Sequence, residues 1–177
     1  MLMLNDYCFL EIKEHMMSIP IMIFKVYADQ KDCSNLECPY GAVTIIPFHA
    51  TVESDLFTGE TLPGACDVQV ENPAKSRNMC AKYMFQGHDS EGNACKLFVE
   101  NNGYLAPSMR NDPFFHAYPY FLTDSPVLGE YLSQRRFRSE LQGMEWGVEI
   151  RIYDVRQRDM ERHKLAPARE IVNAGCG

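Results

Sequence analysis

The chain has 177 residues, of which 46% are hydrophobic and 23% charged, which is typical of a globular protein with a sizeable core. Its formal net charge of -7 opposes contact with phosphate backbones and anionic lipid, which excludes nucleic acid and membrane surfaces as expected partners. The first residues lack the basic leader of a secretory signal, and the apolar run 19–24 is too short to cross a bilayer. We therefore expect a cytoplasmic protein.

The seven cysteines match no metal-ligand spacing. An odd number of cysteines in a reducing compartment predicts free thiols. Cys33 and Cys38 would supply half of a zinc site, but no second close pair of cysteines or histidines completes four ligands. Neither a glycine-rich phosphate loop nor a Gly-x-Ser-x-Gly motif is present. The sequence therefore predicts no metal and no cofactor.

Short apolar runs alternate with turn clusters along the whole chain. Such runs, with two-residue periodicity or β-branched residues, are typical of an antiparallel all-β domain. They cover 19–27, 43–48, 68–72, 80–86, 96–101 and 147–155. The fourth and fifth runs predict a hairpin. Many short strands and few helices favour a single antiparallel β-barrel domain over 1–177, because closure removes exposed sheet edges.

Three segments do not follow the strand pattern. Residues 125–133 predict one short helix, capped by Asp124 or Ser125, with Pro126 in its first turn. Residues 104–120 contain three prolines and many aromatic residues. They predict a long aromatic loop, either covering the barrel mouth or packed on the barrel or a partner subunit. Residues 156–177 predict a polar C-terminal tail that begins with a surface helix over 156–164.

Several short motifs in a fixed order carry a family resemblance. They are Ile46-Pro47-Phe48, Phe57-x-Gly59, Leu62-Pro63-Gly64, Asp67-x-Gln69, Ala81-x-Tyr83, Asn101-x-Gly103, and Thr123 with Pro126. From about residue 41 to 155 the chain resembles the uncharacterised proteins called domain of unknown function 3237. The resemblance implies an antiparallel β-barrel with a central cavity, in a homo-oligomer. It implies no particular activity, because none is established for the family.

The chain departs from the family pattern at two positions. Ala65 stands where a second glycine usually follows Leu-Pro-Gly, and His49 stands where a small residue usually follows the Ile-Pro-hydrophobic triplet. The second change is expected to place an imidazole near the cavity.

Strand alternation indicates which side chains face the barrel interior. Asn101 shares a strand face with Leu97, and Tyr83 shares one with Phe85, so both polar residues are expected inside. For Asp67 the alternation itself favours a position in water. A polar lumen that receives a ligand would instead place Asp67 inside.

If Asp67, Tyr83 and Asn101 converge, they form a candidate catalytic set. A carboxylate in an apolar cavity has a raised pKa and acts as a general base. A phenol and an amide donate hydrogen bonds to a developing oxyanion. This set suits enolisation, isomerisation or cyclisation of a carbonyl compound without a cofactor. In the alternative interpretation Asp67 caps a turn, Tyr83 fills the core and Asn101 shapes the Asn-Asn-Gly turn.

Four further residues are candidate ligand contacts: His49, Gln69, His116 and Thr123. His116 has no partner assigned by the sequence and is alternatively a plain exposed histidine. The sequence thus predicts a barrel that binds a small, mostly apolar molecule and acts as a cofactor-independent isomerase, cyclase or lyase. The alternatives are a non-catalytic carrier or sensor, and a structural oligomeric module whose barrel is filled by its own side chains.

Overall fold

β-Strands make up most of the part of the chain that the structure describes. The computed structural model describes residues 19–109, 115–133 and 137–155. In these ranges the strands are Met22–Tyr27 (β1), Ser34–Cys38 (β2), Gly41–Pro47 (β3), His49–Glu53 (β4), Phe57–Thr61 (β5), Cys66–Glu71 (β6), Arg77–Asp89 (β7), Ala94–Leu105 (β8), Phe115–Thr123 (β9), Phe137–Met144 (β10) and Gly147–Asp154 (β11). The helices are Pro126–Leu132 (α1) and two 3-10 turns, Gln30–Asp32 and Pro107–Met109.

All of these strands belong to one antiparallel sheet that closes on itself. Their order is β2-β3-β6-β7-β5-β4-β1-β11-β10-β9-β8, and β7 also pairs with β8. Among the described strands, the eight from β7 through β5, β4, β1, β11, β10 and β9 to β8 therefore form a closed barrel. Strands β6, β3 and β2 continue from β7 as a branch, which we call the extension. The predicted all-β, single antiparallel barrel is confirmed.

Strand β7 belongs to both parts of the sheet. Its first half pairs with β6, from Arg77 opposite Glu71 to Lys82 opposite Cys66. Its second half, 85–89, pairs with β5. Strand β8 runs along β7 from end to end. One face of β7 therefore links the interior of the closed barrel to the inner face of the extension.

The closed barrel is filled by its own side chains. Its largest fully buried residues are Phe24, Phe57, Phe85, Met22, Leu97, Ile152, Val99 and Ser139. The ring of Phe24 lies 5.1 Å from that of Phe85 between centroids. Burying such side chains stabilises the fold by roughly 1.5–3 kcal/mol each.

Two glycines allow β5 and β7 to approach closely inside the barrel. Gly59 and Gly87 are paired across the two strands. The ring of Phe57 lies over both, and a Cβ atom at either glycine would collide with a backbone carbonyl oxygen of the opposite strand. The aromatic ring thus covers the backbone that the glycines leave bare.

The predicted hairpin and helix are confirmed. The hairpin is longer than expected, because β7 and β8 run on to a turn at 90–93. Helix α1 is capped by Ser125, whose side chain accepts a hydrogen bond from the Leu128 amide and donates one to Asp89 at 2.7 Å. Asp124 instead accepts a hydrogen bond from the Lys96 amide. In the described ranges no helix is long and apolar enough to cross a membrane.

The prediction of one long loop over 104–120 is wrong. Strand β8 continues to Leu105, and β9 begins at Phe115, with Pro119 paired to Asn101. The pairing of β9 with β10 covers only 115–117, so one edge of β9 is unpaired at Pro119, where a strand tolerates proline. The predictions for 156–164 and 156–177 lie outside the described residues.

Candidate functional site

The three predicted catalytic residues lie on one inner wall. Asp67 of β6 pairs with Ala81 of β7, and Ala81 pairs with Asn101 of β8. Residues paired directly across strands project to the same face, so Asp67 and Asn101 share a row about 10 Å apart. Tyr83 follows Ala81 by two residues on that face. The inward position of Asp67 is the one that a polar lumen requires.

Asp67 and Tyr83 each bury an oxygen without a partner. The side chain of Tyr83 is 3% exposed, and neither its Oη atom nor Oδ1 of Asp67 makes a hydrogen bond within the described part of the chain. Desolvation raises the pKa of Asp67 above its usual range. Burial, followed by the charge of Asp67, raises the pKa of Tyr83. Tyr83 is therefore a neutral donor and Asp67 a strengthened base.

The surroundings of Tyr83 are aromatic. Its ring lies 5.2 Å from that of Phe48, 5.5 Å from that of Phe85 and 6.1 Å from that of Phe24, each in an edge-to-face arrangement. Such packing fixes the position of the phenol.

A continuous chain of polar side chains leads outward from Asp67. Oδ2 of Asp67 accepts a hydrogen bond from Nε2 of Gln69 at 2.7 Å, and Oε1 of Gln69 accepts one from Nη1 of Arg77 at 3.1 Å. Nη2 of Arg77 donates to Glu71 at 2.9 Å, and Lys75 donates to the other oxygen of Glu71 at 3.0 Å. We call these five residues the polar chain.

Strand geometry explains the polar chain. Asp67, Gln69 and Glu71 alternate along β6 and so project to one face, and Arg77 lies directly opposite Glu71 on β7. The hydrogen bond from Lys75, then that from Arg77, lowers the pKa of Glu71 to about 2. The chain therefore ends in a charged cluster at the β6–β7 turn, while Asp67 lies at its buried end.

Asn101 faces the same interior, but its side-chain oxygen already accepts a hydrogen bond. Its Oδ1 atom accepts a hydrogen bond from the buried Ser139 of β10 at 3.1 Å. The amide nitrogen is therefore the group of Asn101 that remains to donate to a ligand. Between Asp67 and Asn101 this inner face carries the small side chain of Ala81. Gly103 on β8 and Ala117 on β9, which are also small residues, lie next to them on the same face.

Gln69 hydrogen-bonds to Asp67, whereas His49 lies apart from the three predicted catalytic residues. His49 pairs with Tyr27 on the outer face, stacks on its ring at 6.4 Å, and lies 3.2 Å from Thr61 through Nδ1. The expectation that His49 approaches the cavity is wrong, because its neighbour Ala50 is fully buried and strand alternation turns His49 outward.

The remaining two predicted ligand contacts differ in outcome. Thr123 lies at the end of β9, where its hydroxyl donates to the Lys96 carbonyl at 2.7 Å and accepts from the Ser125 amide at 3.1 Å. These bonds hold the start of α1, so the structure gives Thr123 a structural role and places it away from the polar chain. His116 pairs with Glu140 through the backbone of β9, and its side chain lies outside the described residues.

Arg77, Glu71 and Ser139 were missed by sequence reasoning. The signal for Arg77 was present, since the alternation of Tyr83 and Ala81 continues backward through residue 79 to Arg77. The predicted strand begins at residue 80 and therefore does not include Arg77. No local pattern marks Ser139, whose partner Asn101 lies 38 residues earlier.

A separate groove lies on the outer surface. It has a volume of about 1040 Å³, and its lining includes Lys25, Glu60, His88, Lys96 and Glu149. None of the three predicted catalytic residues lines it. Within the described ranges no cluster of three or more His, Cys, Asp or Glu side chains is placed to hold a metal ion.

The described strands and inner wall define an antiparallel β-barrel protein with a polar chain that runs from Asp67, whose Oδ1 atom is buried, to the exposed Lys75. No family model matches the chain, and no curated protein matches it. The predicted relation to domain of unknown function 3237 therefore stays a prediction.

Solved structures do share the fold. A protein of unknown function from Clostridium acetobutylicum ATCC 824 has a TM-score of 0.62 at 20% identity, covering 78% of this chain and 95% of that one. A conserved protein of unknown function from Rhodopseudomonas palustris has a TM-score of 0.58 at 23% identity, covering 77% and 95%. A β-barrel-like protein from Acinetobacter baumannii AYE has a TM-score of 0.60 at 19% identity, covering 78% and 95%. At these identities the likeness shows the fold alone.

Proposed function

We propose that the protein binds a small, mostly apolar carbonyl compound at the inner wall and acts on it as a cofactor-independent isomerase, cyclase or lyase. Asp67 is the general base, and Tyr83 and Asn101 are hydrogen-bond donors. The observation that carries this proposal is the pair of buried oxygens, Oδ1 of Asp67 and Oη of Tyr83, which lack partners among the described residues.

Such groups are expensive to maintain. A buried polar group without a hydrogen bond costs about 1–3 kcal/mol, and folded proteins retain few of them. A carbonyl oxygen would accept from Tyr83, and an adjacent acidic C–H group would face Asp67. One ligand would thereby satisfy both orphaned oxygens.

The chemistry follows from these two groups. Asp67 takes the proton from the carbon next to the carbonyl, the C–H electron pair becomes a carbon–carbon double bond, and the π electrons of the carbonyl move onto its oxygen. The neutral phenol of Tyr83 stabilises the resulting enolate by donating a hydrogen bond. In a ligand with a second double bond conjugated to the new one, return of the proton from Asp67 to the far carbon restores the carbonyl group and completes an isomerisation.

A second candidate is a non-catalytic carrier or sensor, in which the same groups only hold the ligand. A structural oligomeric module is favoured by the packed interior of the closed barrel. We also propose a homo-oligomer in the cytoplasm. Two observations support the oligomer. The edge strand β2 has one neighbour in the described sheet, and the apolar side chains of Leu36, Ile45 and Val70 are exposed.

Exchange of carbon-bound protons tests the base. The protein is incubated in D2O with cyclohexanone, and loss of the α-proton signal is followed by NMR against a sample without protein. Wild type is expected to accelerate exchange, Asp67→Asn to abolish the acceleration and Tyr83→Phe to reduce it. Asp55→Asn, which removes an exposed carboxylate, is the matched control. Exchange by Asp67→Asn at the wild-type rate would overturn the assignment, and binding without exchange in wild type would favour the carrier.

A further inference from the structure

The polar chain also indicates which end of the ligand is charged. Resting on the proposed function, we propose that Arg77 binds a carboxylate at the outer end of the ligand, so that the ligand is a keto acid with its carbonyl at Asp67 and Tyr83. The proposal follows from the position of Arg77, its unused donors and its distance from Asp67.

Arg77 lies on the same inner face as Tyr83 but nearer to solvent. The register of β7 with both neighbours is continuous from Arg77 to Lys82, so alternation places residues 77, 79, 81 and 83 on one face. The side chain of Arg77 is 36% exposed, whereas Tyr83 is 3% exposed. This face of β7 therefore runs from the solvent-exposed guanidinium of Arg77 to the buried phenol of Tyr83.

Arg77 keeps most of its donors unused. A guanidinium has five N–H groups. Within the described part of the chain two of them are engaged, Nη1 by Gln69 and Nη2 by Glu71. These two bonds hold the planar group in place and leave a fixed set of donors, the geometry that pairs best with a carboxylate.

The negative charge of Glu71 does not prevent Arg77 from binding a ligand carboxylate. Its carboxylate serves two cations, Lys75 and Arg77. It therefore orients the guanidinium while sharing its negative charge with a second partner. A ligand carboxylate would meet Arg77 on the donors that Glu71 does not occupy.

The polar chain sets the length of the ligand. One side-chain amide, that of Gln69, bridges Oδ2 of Asp67 and Nη1 of Arg77. Because an amide group is only about 2 Å wide between its nitrogen and oxygen, these atoms are at most about 8 Å apart. About four to six carbon atoms between carbonyl and carboxylate span this distance.

The test compares an acid with its ester. The probes are 6-oxoheptanoate and methyl 6-oxoheptanoate, whose dissociation constants are measured by saturation-transfer NMR, alongside α-proton exchange in D2O. Wild type is expected to bind the acid about tenfold more tightly than the ester or better. Arg77→Gln is expected to lose that preference, so that acid and ester bind with similar dissociation constants.

Arg151→Gln is the matched control, since Arg151 of β11 is equally exposed at 36% and pairs with Glu149 of the same strand. Its preference for the acid should equal that of wild type. Glu71→Gln tests the proposal in the opposite direction, because removing the competing charge should tighten binding of the acid about twofold or more. Folding of each variant is checked by thermal unfolding.

The outcomes separate the two proposals. Binding and exchange of acid and ester without preference, or an unchanged preference in Arg77→Gln, would overturn the role of Arg77 and leave the proposed function standing. Absence of both binding and exchange for either probe in wild type would count against the proposed function itself.

Discussion

Asp67 on β6 and Tyr83 on β7 project from neighbouring strands into the same interior, and each keeps one oxygen buried with no hydrogen bond among the described residues. The charge of Asp67 adds to burial in raising the pKa of Tyr83. The two groups are thus electrostatically coupled without being bonded to each other. We therefore expect the folded protein to be less stable than it would be with apolar side chains at these two positions, and unfolding experiments measure the difference.

Tyr83→Phe is expected to raise the free energy of unfolding by roughly 1 kcal/mol, because it removes an unpaired buried hydroxyl. Urea unfolding of wild type and variant measures the change. Tyr131→Phe is the control, since the hydroxyl of the half-buried Tyr131 donates a hydrogen bond to Asp154 at 2.9 Å, and its loss should destabilise the protein. Equal destabilisation by both substitutions would show that the hydroxyl of Tyr83 has a partner.

Asp67→Asn is expected to change how stability depends on pH. Desolvation raises the pKa of Asp67 in the folded state, so folding favours the protonated carboxyl. The stabilising contribution is fully present below the pKa of the unfolded chain and is lost as pH rises through the folded pKa. The free energy of unfolding of Asp67→Asn minus that of wild type should therefore increase from about pH 3 to pH 7. Urea unfolding across this range measures it, and a difference independent of pH would contradict the raised pKa.

Gly87→Ala is expected to destabilise the protein by about 1–3 kcal/mol, because the new methyl group collides with the Thr58 carbonyl and the Phe57 ring. Gly143→Ala is the control. The space around Gly143 is open, so its effect should stay within about 0.5 kcal/mol. Thermal unfolding distinguishes the two, and similar melting temperatures would mean that β5 and β7 separate easily.

Ser125→Ala is expected to lower the free energy of unfolding by about 1–2 kcal/mol, since Ser125 caps α1 and also bonds Asp89. Ser133→Ala at the other end of the helix removes an exposed hydroxyl whose partner among the described residues is the Glu130 carbonyl, and it should cost less. Urea unfolding compares them. A larger loss at Ser133 would contradict the importance of the N-cap.

Much of the fold was predictable from local pattern. The apolar alternation of β11 and the hairpin of β7 and β8 are visible in the sequence, and both match the structure. Strands β2, β4, β5, β9 and β10 were not predicted. β2 is exposed at every position, so it has no apolar period, and proline obscured β9. Closure of the barrel depends on pairing between distant segments, which no local window contains.

The site was predictable only in part. Alternation placed Tyr83 and Asn101 inside, because both share a face with apolar residues that the barrel buries. The same rule favoured water for Asp67, since its neighbours Val68 and Val70 are the apolar residues of β6. In the extension this rule is inverted: Val70 is 45% exposed, and the polar residues line the interior.

Strand β7 belongs both to the closed barrel and to the extension, and this arrangement has a consequence for evolution. Residues 85–89 of this strand help to close a packed barrel, while residues 77–83 carry Arg77 and Tyr83 on the wall beside β6. Under the proposed function, a substitution at the exposed Arg77 would change what this wall binds without touching the strand pairing that closes the barrel. The proposed specificity and the closure of the barrel would therefore depend on separate parts of one strand, and each part would be open to change without the other.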